Sequence, residues 1–322
     1  MRALPPQQRI EVVDVLRGYA LMGLFLVHMV EYFELYWYRP EPGPVSTWVF
    51  FLFGGKAYGM FALLFGVSFF IIMQSQARKG VDFGARFVWR LAVLWGFGFV
   101  HGLIYGGDIL QILAFTGLVL VPLYRASNTT LLVISLFFVL QGPSLLMFGY
   151  ANAVGGIGYN DPVHGSLHSR VFEVYATGSF LDVLRMNLWE GQLAKWVFTI
   201  ESGRLSTTVG LSLLGFLLAR NDFFTDVSRY RTTYLKALAA AAAAEIAFKI
   251  WGPVLVESIG GTESRWILDG VLALYKNHMW IAGGLLALIV LYHFTPASKL
   301  LRLLAPCGRI SLTIYVSQGL IF

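Results

Sequence analysis

The chain has 322 residues, of which 57% are hydrophobic and only 13% charged, where a soluble domain carries about a quarter charged residues. With a mean hydropathy of +0.66 and long apolar runs along nearly its whole length, it reads as a polytopic membrane protein and not as a soluble enzyme. The net charge of +6 sits in short loops, so it sets topology rather than marking a nucleic-acid partner, and the single cysteine, Cys307, excludes an internal disulfide or a Cys-based metal cluster.

The pattern predicts an all-α fold, a single membrane helix bundle over residues 1–322. About nine hydrophobic segments are expected, near 12–36, 48–74, 87–106, 108–124, 129–151, 193–219, 233–256, 266–292 and 309–322. The first is too long for a cleavable leader and lacks a small-residue cleavage site. Basic residues collect in alternate loops: Arg2 and Arg9; Arg78, Lys79 and Arg86; Arg125; Arg220, Arg229 and Arg231; Lys299, Arg302 and Arg309. The other loops hold Glu34, Arg39 and Glu41, then Asp108, then Asp161, Glu173 and Asp182, then Glu257 and Glu263. The positive-inside rule therefore places the N-terminus in the cytoplasm.

The first segment carries Asp14, Arg17, His28 and Glu31. Arg17 and His28 are eleven residues apart; at about 100° and 1.5 Å per residue they share one face, separated by about 16 Å. Arg17 either pairs with Asp14 at the interface or reads a phosphate at the inner surface with Arg86 and Arg90. His28 is either a core imidazole bonded to a neighbouring carbonyl or a general base oriented by Glu31 or Asp108.

Further along, Lys56 needs a partner, for which Glu31 is the candidate. His101 and Asp108 flank a glycine-rich turn; Asp108 either caps the next helix, with Gly106 and Gly107 ending the previous one, or forms a His/carboxylate pair. The connection over about 152–190 opens with Gly155, Gly156 and Gly158, holds Asp161, His164 and His168, and continues into short amphipathic helices at the interface. His164 and His168 read as ordinary loop residues. Glu201 and Arg204, three apart, are expected to pair within one helix. The tract Ala237 to Ala244 favours close helix packing. Lys276 and His278 face opposite sides of their helix. The last segment is about 20 Å long, short of a 30 Å hydrocarbon core, so the bundle is expected to lack a full final span. The intramembrane polar residues cluster, which predicts a polar cavity open to the outer side and a basic lip inside. No metal-ligand spacing is present, so no metal site is expected.

Four blocks resemble the YeiB-like family of bacterial inner-membrane proteins: Asp14-Val15-Leu16-Arg17-Gly18-Tyr19-Ala20-Leu21-Met22-Gly23, Lys56 to Gly66, His101 with Gly107-Asp108-Ile109-Leu110, and Gly308-Arg309-Ile310-Ser311-Leu312-Thr313-Ile314-Tyr315. The family is similar in layout to the transmembrane acyltransferase superfamily, whose O-acyltransferase branch uses an Arg and a His on the first helix; Arg17 and His28 match these in type and spacing. The family often has Asn at the position of His28, and its members continue past the Gly308-Arg309 motif with a hydrophobic stretch and a basic tail. The resemblance implies a multi-pass inner-membrane acyltransferase that takes an acetyl or other acyl group from cytoplasmic acyl-CoA to a hydroxyl or amine on the outer side. His28, Glu31, His101 and Asp108 would be catalytic. Arg17, Arg86 and Arg90 would hold the CoA phosphates. Lys56, Glu201, Arg204 and Lys276 would bind substrate. The implied partners are the lipid bilayer, a small-molecule or glycan acceptor and, compatibly, a second copy in a homodimer. The rival class is a proton-coupled transporter or exporter using the same buried His, Glu, Asp and Lys, although no internal repeat is visible. A third is a lipid-binding scaffold without turnover.

Overall fold

The computed structural model describes residues 10–80, 83–154, 163–259 and 265–319. Arg2, Arg9, Gly155, Gly156, Gly158, Asp161 and Glu263 lie outside them. Every regular element among the described residues is helical. A run of apolar residues in lipid must satisfy its own backbone, and the helix does so within one segment.

The first segment is α1 (Glu11–His28), which continues through a π-helical turn (Met29–Phe33). A short α2 (Pro44–Leu52) leads through a turn into α3 (Ala57–Arg78). Next come α4 (Phe83–Ile104), α5 (Leu110–Leu123), α6 (Asn128–Val139) and α7 (Gly142–Ala153). The second half holds α8 (Val163–Thr177), α9 (Phe180–Leu188), α10 (Glu190–Glu201) and α11 (Arg204–Arg220). It closes with α12 (Val227–Ile259), α13 (Arg265–Phe294), α14 (Ser298–Leu301), α15 (Ala305–Arg309) and α16 (Ser311–Gln318).

Among the described residues, five stretches are long and apolar enough to cross a membrane, and up to eight if each bent pair counts as one span. The bent pairs are α6 with α7 at 52°, α10 with α11 at 67°, and α14–α15 with α16 at 77°. The segment at 108–124 is the shorter apolar helix α5. The chain is thus an all-helical, multi-pass membrane protein. Large apolar side chains such as Leu146, Trp251 and Leu303 point outward, as a lipid-facing surface requires.

Two close helix crossings hold the core. Where α3 meets α11, a Cβ on Gly66 would stand 1.8 Å from the Ser212 carbonyl oxygen, and one on Gly215 would stand 1.9 Å from that of Leu63. Only glycine lets these backbones touch, as lipid-embedded packing favours. Ser212 Oγ adds a hydrogen bond to the Ala62 carbonyl at 2.8 Å. In the second crossing a Cβ on Gly308 would lie 1.8 Å from the Asp14 carbonyl oxygen, while Arg309 Nε reaches the Asp14 carboxylate at 3.9 Å. The Gly308-Arg309 block therefore docks the C-terminal helices onto α1. The alanine tract behaves as expected at one point: Ala241 is buried, its Cβ facing Gly283 of α13. Its other members mostly lie on the lipid-facing side of α12.

Candidate active site

A cavity of about 480 Å³ opens between the His28 end of α1, the turn before α5, and helices α8, α10, α11 and α16. The π turn extends α1 and brings His28, Glu31 and Tyr32 to one wall. The 105–109 turn contributes Tyr105, Gly106, Gly107, Asp108 and Ile109. His164, His168 and Phe172 come from α8, Lys195 and Phe198 from α10, Arg204 and Thr208 from α11, and Tyr315 from α16.

His28 is 6% exposed, lines the cavity, and makes no hydrogen bond among the described residues. It is framed by the rings of Tyr105 at 4.9 Å and Tyr315 at 6.1 Å. Neither Glu31 nor Asp108 orients it, contrary to expectation. Glu31 instead accepts from Trp37 Nε1 at 3.2 Å. Asp108 is turned to His101, whose Nδ1 lies 2.9 Å from Oδ1, so that an Nδ1–H donates to the carboxylate. The second oxygen of Asp108 accepts from the backbone N–H of Leu110 at 3.1 Å and of Gln111 at 3.4 Å. Capping and pairing, posed as alternatives, are both performed by one carboxylate. His101 itself is not among the lining residues. Its Nε2 is buried without a hydrogen-bond partner among the described residues and packs on Gly319, whose added Cβ would stand 2.2 Å away.

Tyr315, in the C-terminal block, ties the wall together. Its hydroxyl accepts from the Ile109 backbone N–H at 2.9 Å across 206 positions of sequence. Replacing Tyr315 with Phe leaves that N–H without its partner, and a buried orphan donor costs about 1–3 kcal/mol. The variant is expected to melt below the native chain in detergent, with helix content unchanged; an unaltered melting curve would exclude this anchoring role.

The remaining expected residues separate. Glu201 and Arg204 do not pair, because the helix breaks between them at Gly203, whose φ is +70°. Glu201 instead binds His164 Nδ1 at 2.8 Å and accepts from the His164 backbone N–H at 3.0 Å, fixing the start of α8. His164 and His168 are thus helical wall residues, not loop residues. Arg204 lies over the rings of Phe198 at 4.6 Å and Tyr58 at 4.9 Å. Lys56 does not meet Glu31: its Nζ donates to the carbonyls of Phe50 and Gly54, each at 3.0 Å, beside the Trp280 ring. Lys56, Glu201 and Lys276 are not among the lining residues. His278 bonds Thr207 Oγ1 at 3.1 Å, away from Lys276 as the helix spacing required.

At the far end of α1, Arg17 binds Asp14 at 3.0 Å and donates to Ser68 Oγ at 2.7 Å. Arg86 and Arg90 lie elsewhere, lining a second cavity of about 540 Å³ with Ile72, Gln76 and Trp89. Arg17 is not among the residues of that cavity, so the three arginines do not form one lip.

Sequence reasoning missed Tyr32, Tyr105, Lys195 and Tyr315 as wall residues. Lys195 carried a signal, since it is a lone lysine in an apolar segment; it is 6% exposed and donates to Gln192 Oε1 at 2.7 Å. Among the described residues, no group of three or more His, Cys, Asp or Glu side chains could hold a metal ion.

The chain is similar to known proteins in two regions. Residues 9–154 match the model of the heparan-alpha-glucosaminide N-acetyltransferase catalytic domain, and residues 218–322 match a protein family of unknown function, DUF418. The uncharacterized protein YxaH of Bacillus subtilis is 25% identical over an alignment covering all of this chain and 83% of YxaH. An uncharacterized 39.9 kDa protein encoded in the amylase 3′ region of Bacillus acidopullulyticus is 31% identical over 122 residues, 37% of this chain and 35% of that protein. No solved structure matches the chain. The first of these matches covers α1 and the 105–109 turn, hence both His28 and the His101–Asp108 pair, and the second covers Tyr315. The chain is similar to YeiB-like membrane proteins, and its residues 9–154 are similar to an acyltransferase catalytic domain.

Proposed function

We propose that the protein is a membrane acyltransferase of the bacterial inner membrane, with its N-terminus in the cytoplasm and about nine spans. It would move an acyl group, acetyl in the simplest case, from cytoplasmic acyl-CoA to a hydroxyl or amine of a small-molecule or glycan acceptor in the His28 cavity. The observation that carries this reading is the imidazole of His28, a residue of the acyltransferase-like region, lining a cavity with no hydrogen-bond partner among the described residues. The transport alternative gains no support from the similarities.

The residues of the second cavity fit the donor's nucleotide end. Arg86 and Arg90 offer guanidinium groups suited to phosphate, and Trp89 offers a flat aromatic face. Arg17 is committed to Asp14 and Ser68 and braces α1 there. Bound acyl-CoA supplies an acyl group activated as a thioester. The free ring nitrogen of His28 takes the acceptor's O–H or N–H proton as that atom forms its bond to the acyl carbon. The carbon–sulfur bond breaks, and the proton leaves with the released thiol, restoring the neutral imidazole. Asp108 and His101 hold the 105–109 turn against Tyr315, so that the ring of Tyr105 keeps His28 facing the cavity.

The test is binding of radiolabelled acetyl-CoA to the purified full chain in detergent. Saturable binding is expected, weakened about tenfold or more in the double variant Arg86→Ala/Arg90→Ala, since each charged hydrogen bond contributes about 1.5–3 kcal/mol. His28→Gln should bind as the native chain does. Absence of binding under all conditions would sink the reading.

A further inference from the structure

The cavity carries two cations that, among the described residues, no carboxylate contacts. Arg204 and Lys195 both line it, and among the described residues neither forms an ion pair within 4.0 Å. The guanidinium of Arg204 lies over the rings of Phe198 and Tyr58 and donates no hydrogen bond among the described residues, although it has five N–H donors. Among the described residues, Lys195 Nζ is bonded only to the neutral amide of Gln192. A cation kept inside a membrane protein is normally paired. The two carboxylates of the wall act on them only through space, Glu31 on Arg204 and Asp108 on Lys195; by contact Asp108 is bonded to His101 and the start of α5, and Glu31 to Trp37. The two aromatic contacts hold the guanidinium without using its N–H donors, which remain for an oxygen partner.

From this we infer that the acceptor carries an oxyanion, a phosphate or carboxylate, gripped by Arg204 with Lys195 adding charge. The inference rests on the acyltransferase reading of the same cavity and specifies its acceptor: an anionic molecule whose hydroxyl or amine reaches His28 while its charged end stays on α10 and α11. The oxyanion belongs either to a soluble acceptor or to a lipid headgroup, and the test separates these sources.

The purified full chain in phosphatidylcholine nanodiscs is titrated with glycerol, glycerol 3-phosphate and glycerate, following tryptophan fluorescence. In a second arm, phosphatidylglycerol is mixed into the nanodiscs. The anionic soluble probes, or the anionic lipid, are expected to change the signal saturably while glycerol does not. Arg204→Gln should weaken that binding about tenfold or more, the loss of a charge-assisted hydrogen bond. Arg204→Lys should restore part of it, because charge returns without the planar fork. Lys195→Gln provides a second variant should Arg204→Gln fail to fold. Equal binding of glycerol, native-like binding of anions in both glutamine variants, or no binding in either arm would overturn the inference. Acetyl-CoA binding, measured in parallel, reports on the enzyme reading separately: its absence alongside Arg204-dependent anion binding would remove the acyltransferase and keep the anion site.

Discussion

Replacing His28 with Gln is expected to lower acyl transfer by about 10²–10⁴-fold, the usual contribution of a positioned general base, without loss of acetyl-CoA binding. Gln keeps a polar side chain of similar reach but cannot take a proton at working pH. The effect should be large because the other candidate bases are engaged or sealed away; His168 Nδ1 bonds the His164 carbonyl at 2.9 Å. His101 is sealed behind the wall with its Nε2 on Gly319, and Glu31 is engaged by Trp37. His164 is held by Glu201. Transfer of labelled acetyl from acetyl-CoA to the acceptors of expressing-cell membranes is the readout. A His28→Gln variant with undiminished transfer would move the base elsewhere in the cavity.

The second large effect is structural. Gly66→Val or Gly215→Val should sharply reduce the yield of folded protein extracted in mild detergent. The atoms that a new side chain would meet are the backbone oxygens of Ser212 and Leu63, at 1.8 and 1.9 Å. A flexible side chain could give way, but a helical carbonyl cannot, so α3 and α11 must separate. Overpacking costs about 1–3 kcal/mol when the surroundings can yield, and here they yield least. The separation would also pull Arg204 on α11 from the Tyr58 ring on α3. Gly96→Ala is the matched control: nothing lies within 4 Å of its added Cβ, and trading helical glycine for alanine is favourable by about 0.5–1 kcal/mol. Equal yields of Gly66→Val and Gly96→Ala would contradict the close crossing.

The helical layout was legible because lipid imposes one rule on every segment. Apolar runs near 12–36, 48–74 and 87–106 coincide with helical stretches Glu11–Phe33, Pro44–Arg78 and Gly84–Ile104. The breaks inside spans were not legible. Hydropathy continues unaltered across Gly203, and a lone glycine in an apolar run reads as packing until its φ is known to be +70°. That break turned an expected Glu201–Arg204 pair into two separate functions, one fixing α8 and the other charging the cavity wall. Lys56 found its partners in the carbonyls of a turn two and six residues away, a local solution that a search for carboxylates overlooks. Glu31 was engaged by Trp37, six positions on. His28 and the His101–Asp108 pair were found as polar exceptions in apolar surroundings. Tyr315 was not, because tyrosine is unremarkable there and its bond to Ile109 spans 206 positions of sequence.

The most direct test of the enzyme reading is sided transfer in sealed, inverted membrane vesicles from cells making the protein. Labelled acetyl-CoA is supplied to the exposed cytoplasmic face, and label is then sought in non-protein products. Native vesicles should incorporate acetyl well above vesicles lacking the protein, right-side-out vesicles should not, and His28→Gln and Arg86→Ala/Arg90→Ala should each fall towards the background. Incorporation no greater than in vesicles lacking the protein, or incorporation unaffected by His28→Gln, would contradict an acyltransferase centred on His28.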